Sequence, residues 1–283
     1  MTAPLLDLRG LSVLYPGEHG ATLAVDNVSF TLRREKLGIV GESGSGKSTL
    51  GRALLRLLPQ ARITAERMTF DGMDLLSLPE RAMRHLRGRR MSMILQDPKF
   101  SLNPIRRVGD QVAEACRIHL RCSRAEARER SLAMLEAVQI ADPRRVYHLY
   151  PHEVSGGMGQ RIMIAMMLLP EPDLVIADEP TSALDVTVRL QVLRILDRLV
   201  TERGIGLLMI SHDLNLVRNF CDRVLIMYAG RVVESLPAAD LERARHPYTQ
   251  ALLAAQPRIG GDRSPLKVPE RRADWKEPIG PQP

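Results

Sequence analysis

The residues with the clearest chemistry form an unbroken run, Gly41–Thr49, with the sequence GESGSGKST. They fit the pattern G-x-x-x-x-G-K-[ST] at every fixed position. In this pattern glycines let backbone N–H groups turn inward around a polyphosphate, a lysine reaches the β- and γ-phosphates, and a hydroxyl ligates Mg²⁺. The sequence therefore predicts a site for ATP or GTP with Mg²⁺, formed by Gly41, Ser43, Gly44, Ser45, Gly46, Lys47, Ser48 and Thr49.

The segments on either side of this run have the periodicities that a phosphate-binding loop requires. Residues 37–40 are a short apolar stretch typical of a buried strand. Behind the loop, apolar residues recur at helical spacing, at Leu50, Ala53, Leu54, Leu57 and Leu58. The run therefore joins a strand to a helix, whose N-terminus adds the positive end of its dipole to the site. A chance match in a glycine-rich turn is the alternative.

Acidic and amide side chains follow two other apolar segments. Residues 174–177 lead into Asp178 and Glu179, and residues 91–95 lead into Gln96. In a doubly wound sheet, ligands bind at the carboxyl ends of the strands. An acid that holds Mg²⁺ through water, followed by an acid that polarises the attacking water, is the pair used in nucleotide hydrolysis. Adjacent acidic residues are also common on protein surfaces, so an ordinary surface pair is the alternative for Asp178 and Glu179.

A second anion-binding helix terminus is predicted at Ser155, Gly156 and Gly157, because a helix rich in Ile, Met and Ala follows them. Ser155 as an ordinary N-cap is the structural alternative, since serine and glycine are favoured there.

Two single residues have both a functional and a structural interpretation. Tyr15 precedes the phosphate loop and an aromatic there can stack on an adenine ring, although a tyrosine beside a Pro-Gly turn is otherwise a surface residue. His212 follows an apolar segment and can donate to a γ-phosphate, although a lone histidine at a strand end is more often structural.

The composition limits the class of protein. The chain has 283 residues, 45% of them hydrophobic, and a net charge of +7, but only 4% are aromatic. Few rings are therefore available to stack on bases, and no nucleic-acid partner is expected. No apolar run approaches the length of a membrane span, and residues 1–7 lack the features of a signal peptide, so we expect a cytosolic location. The three scattered cysteines argue against a disulfide framework or a zinc site.

The ordered set of motifs resembles the ATP-binding-cassette (ABC) ATPases from about residue 5 to residue 234. The matches are Gly41–Thr49 to Walker A, Gln96 to the Q-loop, Val154–Met158 to the signature motif, Asp178 with Glu179 to Walker B, Ser182–Asp185 to the D-loop and His212 to the switch histidine. The resemblance implies an α/β fold, a P-loop NTPase (RecA-like) core with an antiparallel β flap and an inserted helical subdomain at about residues 98–158. That flap agrees with two strand-like segments, residues 5–8 and 23–30.

Further segments resemble the oligopeptide, dipeptide and nickel permease branch of this family, and Met158 resembles its D-type ATPase. They are Gln96–Pro98, Ser101–Pro104, Met158–Met167 and His246–Thr249. The ATPase domain is expected over residues 1–257, of which 236–257 form the His-Pro-Tyr-type segment. Residues 258–283, rich in proline and charge, are expected to be disordered or to lie on a partner. Many ATPases of this branch have cysteines in their C-terminal extension, but residues 258–283 contain none. The resemblance therefore does not imply a metal cluster in this segment.

The resemblance also implies roles for the site residues. Two ATPase subunits would clamp two ATP molecules head to tail. Glu179 would be the general base, His212 would sense the γ-phosphate, and Gln96 with Asp178 would hold Mg²⁺ and water. Ser155, Gly156 and Gly157 would serve the opposite site, and Asp185 would report across the interface.

The implied partners are a second (F-type) ABC ATPase, two transmembrane permease subunits and, indirectly, an extracytoplasmic solute-binding protein. The chain would be peripheral at the cytoplasmic face of the inner membrane and would drive import. Peptides, nickel, metal-chelating opines and glutathione all stay open as cargo. The alternatives are a non-transport ABC ATPase acting on nucleic acid or ribosomes, and a P-loop kinase or GTPase.

Overall fold

The computed structural model describes residues 3–17, 20–255 and 272–278. The strands are β1 (Leu6–Tyr15), β2 (Thr22–Leu32), β3 (Lys36–Val40), β4 (Arg62–Thr64), β5 (Arg67–Phe70), β6 (Met73–Asp74), β7 (Met91–Ile94), β8 (Leu174–Asp178), β9 (Gly206–Ser211), β10 (Arg223–Tyr228) and β11 (Arg231–Pro237). The helices are α1 (Lys47–Leu54), α2 (Glu80–Leu86), α3 (Val108–Leu120), α4 (Arg124–Ala137), α5 (Pro143–Tyr147), α6 (Gly156–Leu168), α7 (Val186–Glu202), α8 (Leu214–Phe220) and α9 (Pro247–Ala254).

The chain divides into two compact units. The first unit comprises Met1–Ser77 and Met209–Pro283, and the second unit comprises Leu78–Leu208. Strand β9 begins in the second unit and ends in the first. The second unit contains the predicted helical insertion, residues 98–158, together with β7, β8, α6 and α7.

An antiparallel sheet in the first unit confirms the predicted flap. Its strand order is β2-β1-β5-β6, and β4 also pairs with β1. Strands β1 and β2 pair from Leu6 opposite Leu32 to Tyr15 opposite Thr22. Leu6 and Leu8 of β1 are buried, as are Leu11 and Val13, and the alternation shifts by one residue between the two pairs, where the register with β2 also shifts. Asp71 and Gly72 form the turn that joins β5 to β6, with φ of 48° and 77°.

A second sheet in the first unit positions the phosphate loop. Its order in this unit is β11-β10-β3-β9. Strands β10 and β3 are parallel and pair Arg223 with Leu37 through Ile226 with Val40. The residues after Lys36 in β3 are all buried, as in parallel strands that are covered on both faces. The loop therefore leaves the carboxyl end of a buried strand.

Helix α1 is shorter than the apolar pattern behind the loop predicts. It ends at Leu54 rather than continuing to Leu58. The backbone turns at Arg56, which has a left-handed φ of 51°, and Leu57 is exposed. Three apolar positions of the pattern, Leu50, Ala53 and Leu54, form the buried face of the helix, so the apolar period extends to Leu57 although the helix does not.

In the second unit the strand order is β9-β8-β7. Strands β7 and β8 are parallel, with Met91 opposite Leu174 and Ile94 opposite Ala177. Every residue of both strands is buried, which places the core of this unit around them. Since the strands run in register, the residues that follow them leave the sheet at the same edge.

Helices α3, α4 and α5 lie within residues 98–158 of the second unit. Ser123 caps α4, because its Oγ accepts from the Glu126 amide at 3.2 Å. Leu135 and Val138 are buried, whereas Leu132 is half-buried.

The C-terminal segment adds structure to the first unit. Helix α9 is buried through Tyr248 and Thr249. The expectation of a disordered or partner-bound tail does not hold for residues 272–278, because Trp275 lies in a 3₁₀ turn, Ala273–Lys276, and is buried against this chain's own tyrosines. Residues 256–271 and 279–283 lie outside the described residues.

Candidate functional site

The phosphate loop connects β3 to α1 as the sequence predicts. Lys47 is the first residue of α1, and its side chain is 5% exposed. Its ammonium Nζ donates to Gly41 O at 2.8 Å, Glu42 O at 2.7 Å and Ser45 Oγ at 3.3 Å. The loop therefore curls around its own lysine, which holds a buried positive charge at the start of the helix.

Two glycines of the loop are required by its neighbours. A Cβ on Gly41 would lie 2.1 Å from the carbonyl oxygen of Met227. Gly46 has a φ of +98°, and a Cβ there would lie 2.3 Å from the carbonyl oxygen of Ala24. Because these contacts are with backbone, a side chain at either position displaces a strand or the loop itself.

The geometry of the loop fits a polyphosphate. Gly46 is the N-cap of α1, and because it has no side chain it does not itself cover the N-terminus of the helix. A cavity of about 210 Å³ lies against the loop and is lined by Glu42, Ser43, Gly44, Ser45, Tyr228 and Ala229. A helix N-terminus, a buried ammonium and inward-turned glycines together favour an anion of several charges. Ser48 and Thr49 follow Lys47 on α1, both half-buried.

Tyr15 and His212 also lie in the first unit. Tyr15 is the last residue of β1, opposite Thr22, and is half-buried. His212 is exposed and directly follows β9. Its backbone is held on both sides, because Ser211 Oγ accepts from the Asp213 amide at 3.0 Å and Asp213 Oδ1 accepts from Leu216 N at 3.1 Å. The His212 side chain is thus presented at a fixed strand end.

In the second unit the structure brings Gln96, Asp178 and Glu179 to one sheet edge. Ile94 pairs with Ala177 in parallel, so Gln96 and Glu179 are each two residues past that pair. Gln96 is exposed, Asp178 is only 4% exposed, and Glu179 is half-buried. Amide and carboxylate oxygens are ligands that Mg²⁺ prefers, so this edge has the chemistry predicted for it.

Glu179 has a backbone conformation that the sequence did not indicate. Its φ is +48°, in the left-handed region that is costly for a residue with a Cβ. Its carbonyl oxygen accepts from the Ser182 amide and from Ser182 Oγ, each at 3.3 Å. Such strain clusters at functional positions, where the surrounding structure enforces it.

The glycine pair at the start of α6 lies at an exposed helix terminus. Ser155 Oγ accepts from Met158 N at 3.3 Å, so its structural interpretation as an N-cap is confirmed. Ser155 and Gly156 are exposed, whereas Gly157 is half-buried. Asp185 caps α7, where its Oδ1 accepts from Thr187 N at 3.1 Å and from Val188 N at 3.0 Å.

The sequence analysis did not predict one contact of the phosphate loop. The backbone N–H of Glu42 donates to Tyr248 Oη at 3.0 Å, across 206 positions of the chain. The only signal was the His246–Thr249 segment, which indicated a branch of a family but no contact with the loop.

Comparison with known proteins agrees with these motifs. The family model described as "ABC transporter" matches residues 25–182. A probable peptide ABC transporter ATP-binding protein of Sinorhizobium fredii is 49% identical over 281 residues, which cover 97% of this chain and 84% of that protein. The oligopeptide transport ATP-binding protein OppD of Salmonella typhimurium is 48% identical over 260 residues, covering 91% of this chain and 78% of OppD.

A solved structure shares the fold. The dimeric post-hydrolysis state of an ATP-binding cassette bound to ADP and Pi superposes with a TM-score of 0.74 at 26% identity, and the match covers 82% of this chain and 98% of that chain. In the described part of this chain, none of the helices has the length and apolar character needed to span a bilayer.

Proposed function

The chain belongs to the ABC transporter family, and we propose that it is the ATP-binding and ATP-hydrolysing subunit of a peptide importer. One observation carries the proposal. The Gly41–Thr49 loop joins β3 to α1, and its own carbonyl oxygens accept hydrogen bonds from the buried Lys47 ammonium. When a nucleotide binds, phosphate oxygens can replace these carbonyl oxygens as acceptors. The chemistry asked of the chain is mainly positioning and electrostatic stabilisation of the transferred phosphoryl group.

We assign peptides as the cargo. The relatives at 49% and 48% identity are named for peptide and oligopeptide transport. The sequence alone also allowed nickel, opines or glutathione as the cargo, but none of these solutes occurs in the names of those two relatives. The chain itself is not expected to touch the cargo, because its own site is built for nucleotide.

Mg²⁺ is the proposed metal, and when bound it neutralises charge on the phosphate oxygens. Ser48 of the first unit offers a hydroxyl oxygen for it. Gln96 and Asp178 of the second unit offer an amide and a carboxylate oxygen. This donor set consists of oxygens alone, which suits Mg²⁺ rather than a softer metal.

Glu179 is the proposed general base. A proton of the attacking water would move to its carboxylate, while the neighbouring Asp178 would hold water and Mg²⁺. The strained φ of +48° at Glu179 supports this role, because it turns the chain sharply where the strand delivers its acids. His212, which follows β9, would donate to the γ-phosphate, and Tyr15 would stack on the adenine.

Ser155, Gly156 and Gly157 serve the ATP bound by a second subunit. Their position supports this, because the N-terminus of α6 is exposed and carries the positive end of a helix dipole. Asp185, at the exposed start of α7, reports across the same interface. The second subunit is an F-type ATPase of the same family, so neither chain completes a site alone.

The remaining proposed partners are two transmembrane permease proteins and, indirectly, an extracytoplasmic solute-binding protein. The chain would act at the cytoplasmic face of the inner membrane. Closure around ATP would move the helical part of the second unit, residues 98–158, against the permease loops, and hydrolysis would reopen it.

Purification of the tagged chain from membranes tests this assignment. We expect two permease proteins and a second ATPase in the eluate, identified by mass spectrometry. Reconstituted with the solute-binding protein in vesicles, the complex should hydrolyse ATP faster when peptide is added. Nucleic acid or ribosomal proteins in place of permeases would contradict the proposal, as would hydrolysis that no peptide stimulates.

A further inference from the structure

We propose that Tyr248 is a positioning residue for the phosphate loop, held in place by an aromatic cluster that Trp275 completes from the C-terminal segment. Tyr248 is fully buried, and its hydroxyl accepts from the Glu42 amide at 3.0 Å. Glu42 is the second residue of the loop, so α9 contacts the loop directly.

The peptide unit between Gly41 and Glu42 is held at both of its polar ends. Its carbonyl oxygen, Gly41 O, accepts from Lys47 Nζ at 2.8 Å. Its N–H, that of Glu42, donates to Tyr248 Oη. The hydroxyl therefore fixes the rotation of the peptide plane that places the Lys47 ammonium. Without the hydroxyl, this N–H loses an acceptor and the plane is free to rotate away from Lys47.

Two aromatic rings, those of Tyr228 and Trp275, pack against the Tyr248 side chain. The centroid of its ring lies 4.5 Å from that of Tyr228 and 5.5 Å from that of Trp275, and Tyr228 and Trp275 are 5.8 Å apart in an edge-on arrangement. Such pairs contribute stability beyond their buried area. Tyr228 ends β10 and lines the cavity beside the loop. The cluster thus connects the C-terminal segment to the edge of the nucleotide site.

Backbone contacts fix the segment that carries Trp275. Tyr228 Oη donates to Arg272 O at 3.1 Å, and His246 Nε2 lies 3.1 Å from Glu277 O. His246 Nδ1 accepts from Tyr248 N at 3.1 Å, so the neutral ring carries its proton on Nε2 and donates to Glu277 O. His246 therefore joins the start of α9 to the end of the Trp275 turn.

Trp275 provides a direct fluorescence signal for this region, because it is the only tryptophan in the sequence. Its ring contacts Tyr248, whose hydroxyl contacts the loop. A rearrangement of the loop around nucleotide is therefore expected to change Trp275 fluorescence. The inference depends on nucleotide binding at the loop and not on peptide import, so failure of import leaves it standing.

The test is nucleotide binding by the full-length chain carrying Tyr248→Phe, which keeps the ring and removes the hydroxyl. Calorimetric titration with ADP and Mg²⁺ should give a Kd raised about two- to tenfold, the range expected for one lost hydrogen bond. The change in Trp275 fluorescence at saturating ADP should be reduced. The matched control is Tyr147→Phe, the same change at a buried tyrosine of the second unit, which should alter neither readout.

A second variant covers the case in which Tyr248→Phe fails to fold. Trp275→Ala opens the cluster from the 3₁₀ turn Ala273–Lys276 and should raise the Kd in the same direction. If Tyr248→Phe binds ADP with the wild-type Kd, or if Tyr248→Phe does not fold and Trp275→Ala binds ADP with the wild-type Kd, the positioning role is wrong. It is also wrong if Tyr248→Phe lowers the melting temperature while the Kd and the Trp275 signal stay as in wild type, since Tyr248 is then only structural.

Discussion

Val188 on α7 occupies the space where a side chain at Gly157 would lie. A Cβ on Gly157 would come within 2.6 Å of Val188 Cγ1. Val188 is held close by the cap of its own helix, because Asp185 Oδ1 accepts from its amide. The N-terminus of α6 and the N-terminus of α7 therefore pack closely against each other. These are the two segments that we propose face a second subunit.

Gly157→Ala should destabilise the protein. Alanine normally favours a helix by about 1 kcal/mol over glycine, but a β-branched neighbour in a helix has little freedom to move away. Overpacking of this kind costs about 1–3 kcal/mol, so the melting temperature should fall. Thermal unfolding followed by circular dichroism measures it.

Gly156→Ala is the matched control for that change. Nothing lies within 4 Å of a Cβ at Gly156, so the protein's stability should stay the same or rise. In the assembled complex, however, the added methyl group faces the proposed partner, and ATP hydrolysis should fall. A stable Gly156→Ala complex with unchanged hydrolysis would contradict the role given to residues 155–157.

Gly46→Ala should abolish nucleotide binding. The substitution combines a left-handed φ, which costs a residue with a Cβ about 1–2 kcal/mol, with a 2.3 Å approach to Ala24 O. Gly44→Ala separates the two effects, because Gly44 has a φ of +81° but open space around it. Calorimetry with ADP and Mg²⁺ should therefore find binding weakened by Gly44→Ala and absent in Gly46→Ala. Equal binding by the two variants would exclude the contact with Ala24 as the cause.

Glu179→Gln should bind ATP and lose turnover by about a hundredfold or more, as expected for a missing general base. The amide keeps the size and hydrogen-bonding capacity of the side chain but does not take the proton of water. Release of phosphate by the assembled complex is the measurement. Glu171→Gln is the control, since Glu171 also has a left-handed φ, of 57°, but is exposed and away from the strand end. Undiminished hydrolysis by Glu179→Gln would remove Glu179 from the role of base.

The buried thiols should resist alkylation at neutral pH. Burial raises the pKa of Cys116 and of Cys221 to about 12, and the hydrogen bond with Cys122 adds to the effect at Cys116. A raised pKa keeps a thiol protonated, and only the thiolate attacks. Both should therefore react with iodoacetamide much more slowly than the half-buried Cys122 until the pH approaches about 12. Peptide mass spectrometry after timed alkylation checks the order, and labelling of Cys116 at the rate of Cys122 would contradict it.

The sequence predicted the parts of the site that depend on short stretches of chain. The loop, the strand before it and the acids at the end of β8 are each specified by a local pattern, and the structure has each of them in place. The apolar pattern behind the loop overestimated α1, because hydrophobic spacing does not detect the left-handed turn at Arg56.

Contacts between distant segments were not predictable in this way. Glu42 and Tyr248 are separated by 206 positions, and no periodicity relates them. The composition of the tail indicated disorder, yet a single buried Trp275 with two tyrosines is enough to hold residues 272–278. Nor did the sequence indicate that Cys116 Sγ and Cys122 Sγ lie 3.0 Å apart. The left-handed turn at Arg121 brings the two thiols together, and no sequence pattern predicts that turn.

The decisive measurement is the rate of ATP hydrolysis by this chain alone and in the complex with its permease and second ATPase, with and without replacement of residues 155–157. If the ATP sites are shared between two subunits, the isolated chain hydrolyses slowly, the complex hydrolyses fast, and the replacement slows the complex. An isolated chain that hydrolyses ATP at the full rate of the complex after residues 155–157 have been replaced would contradict that sharing.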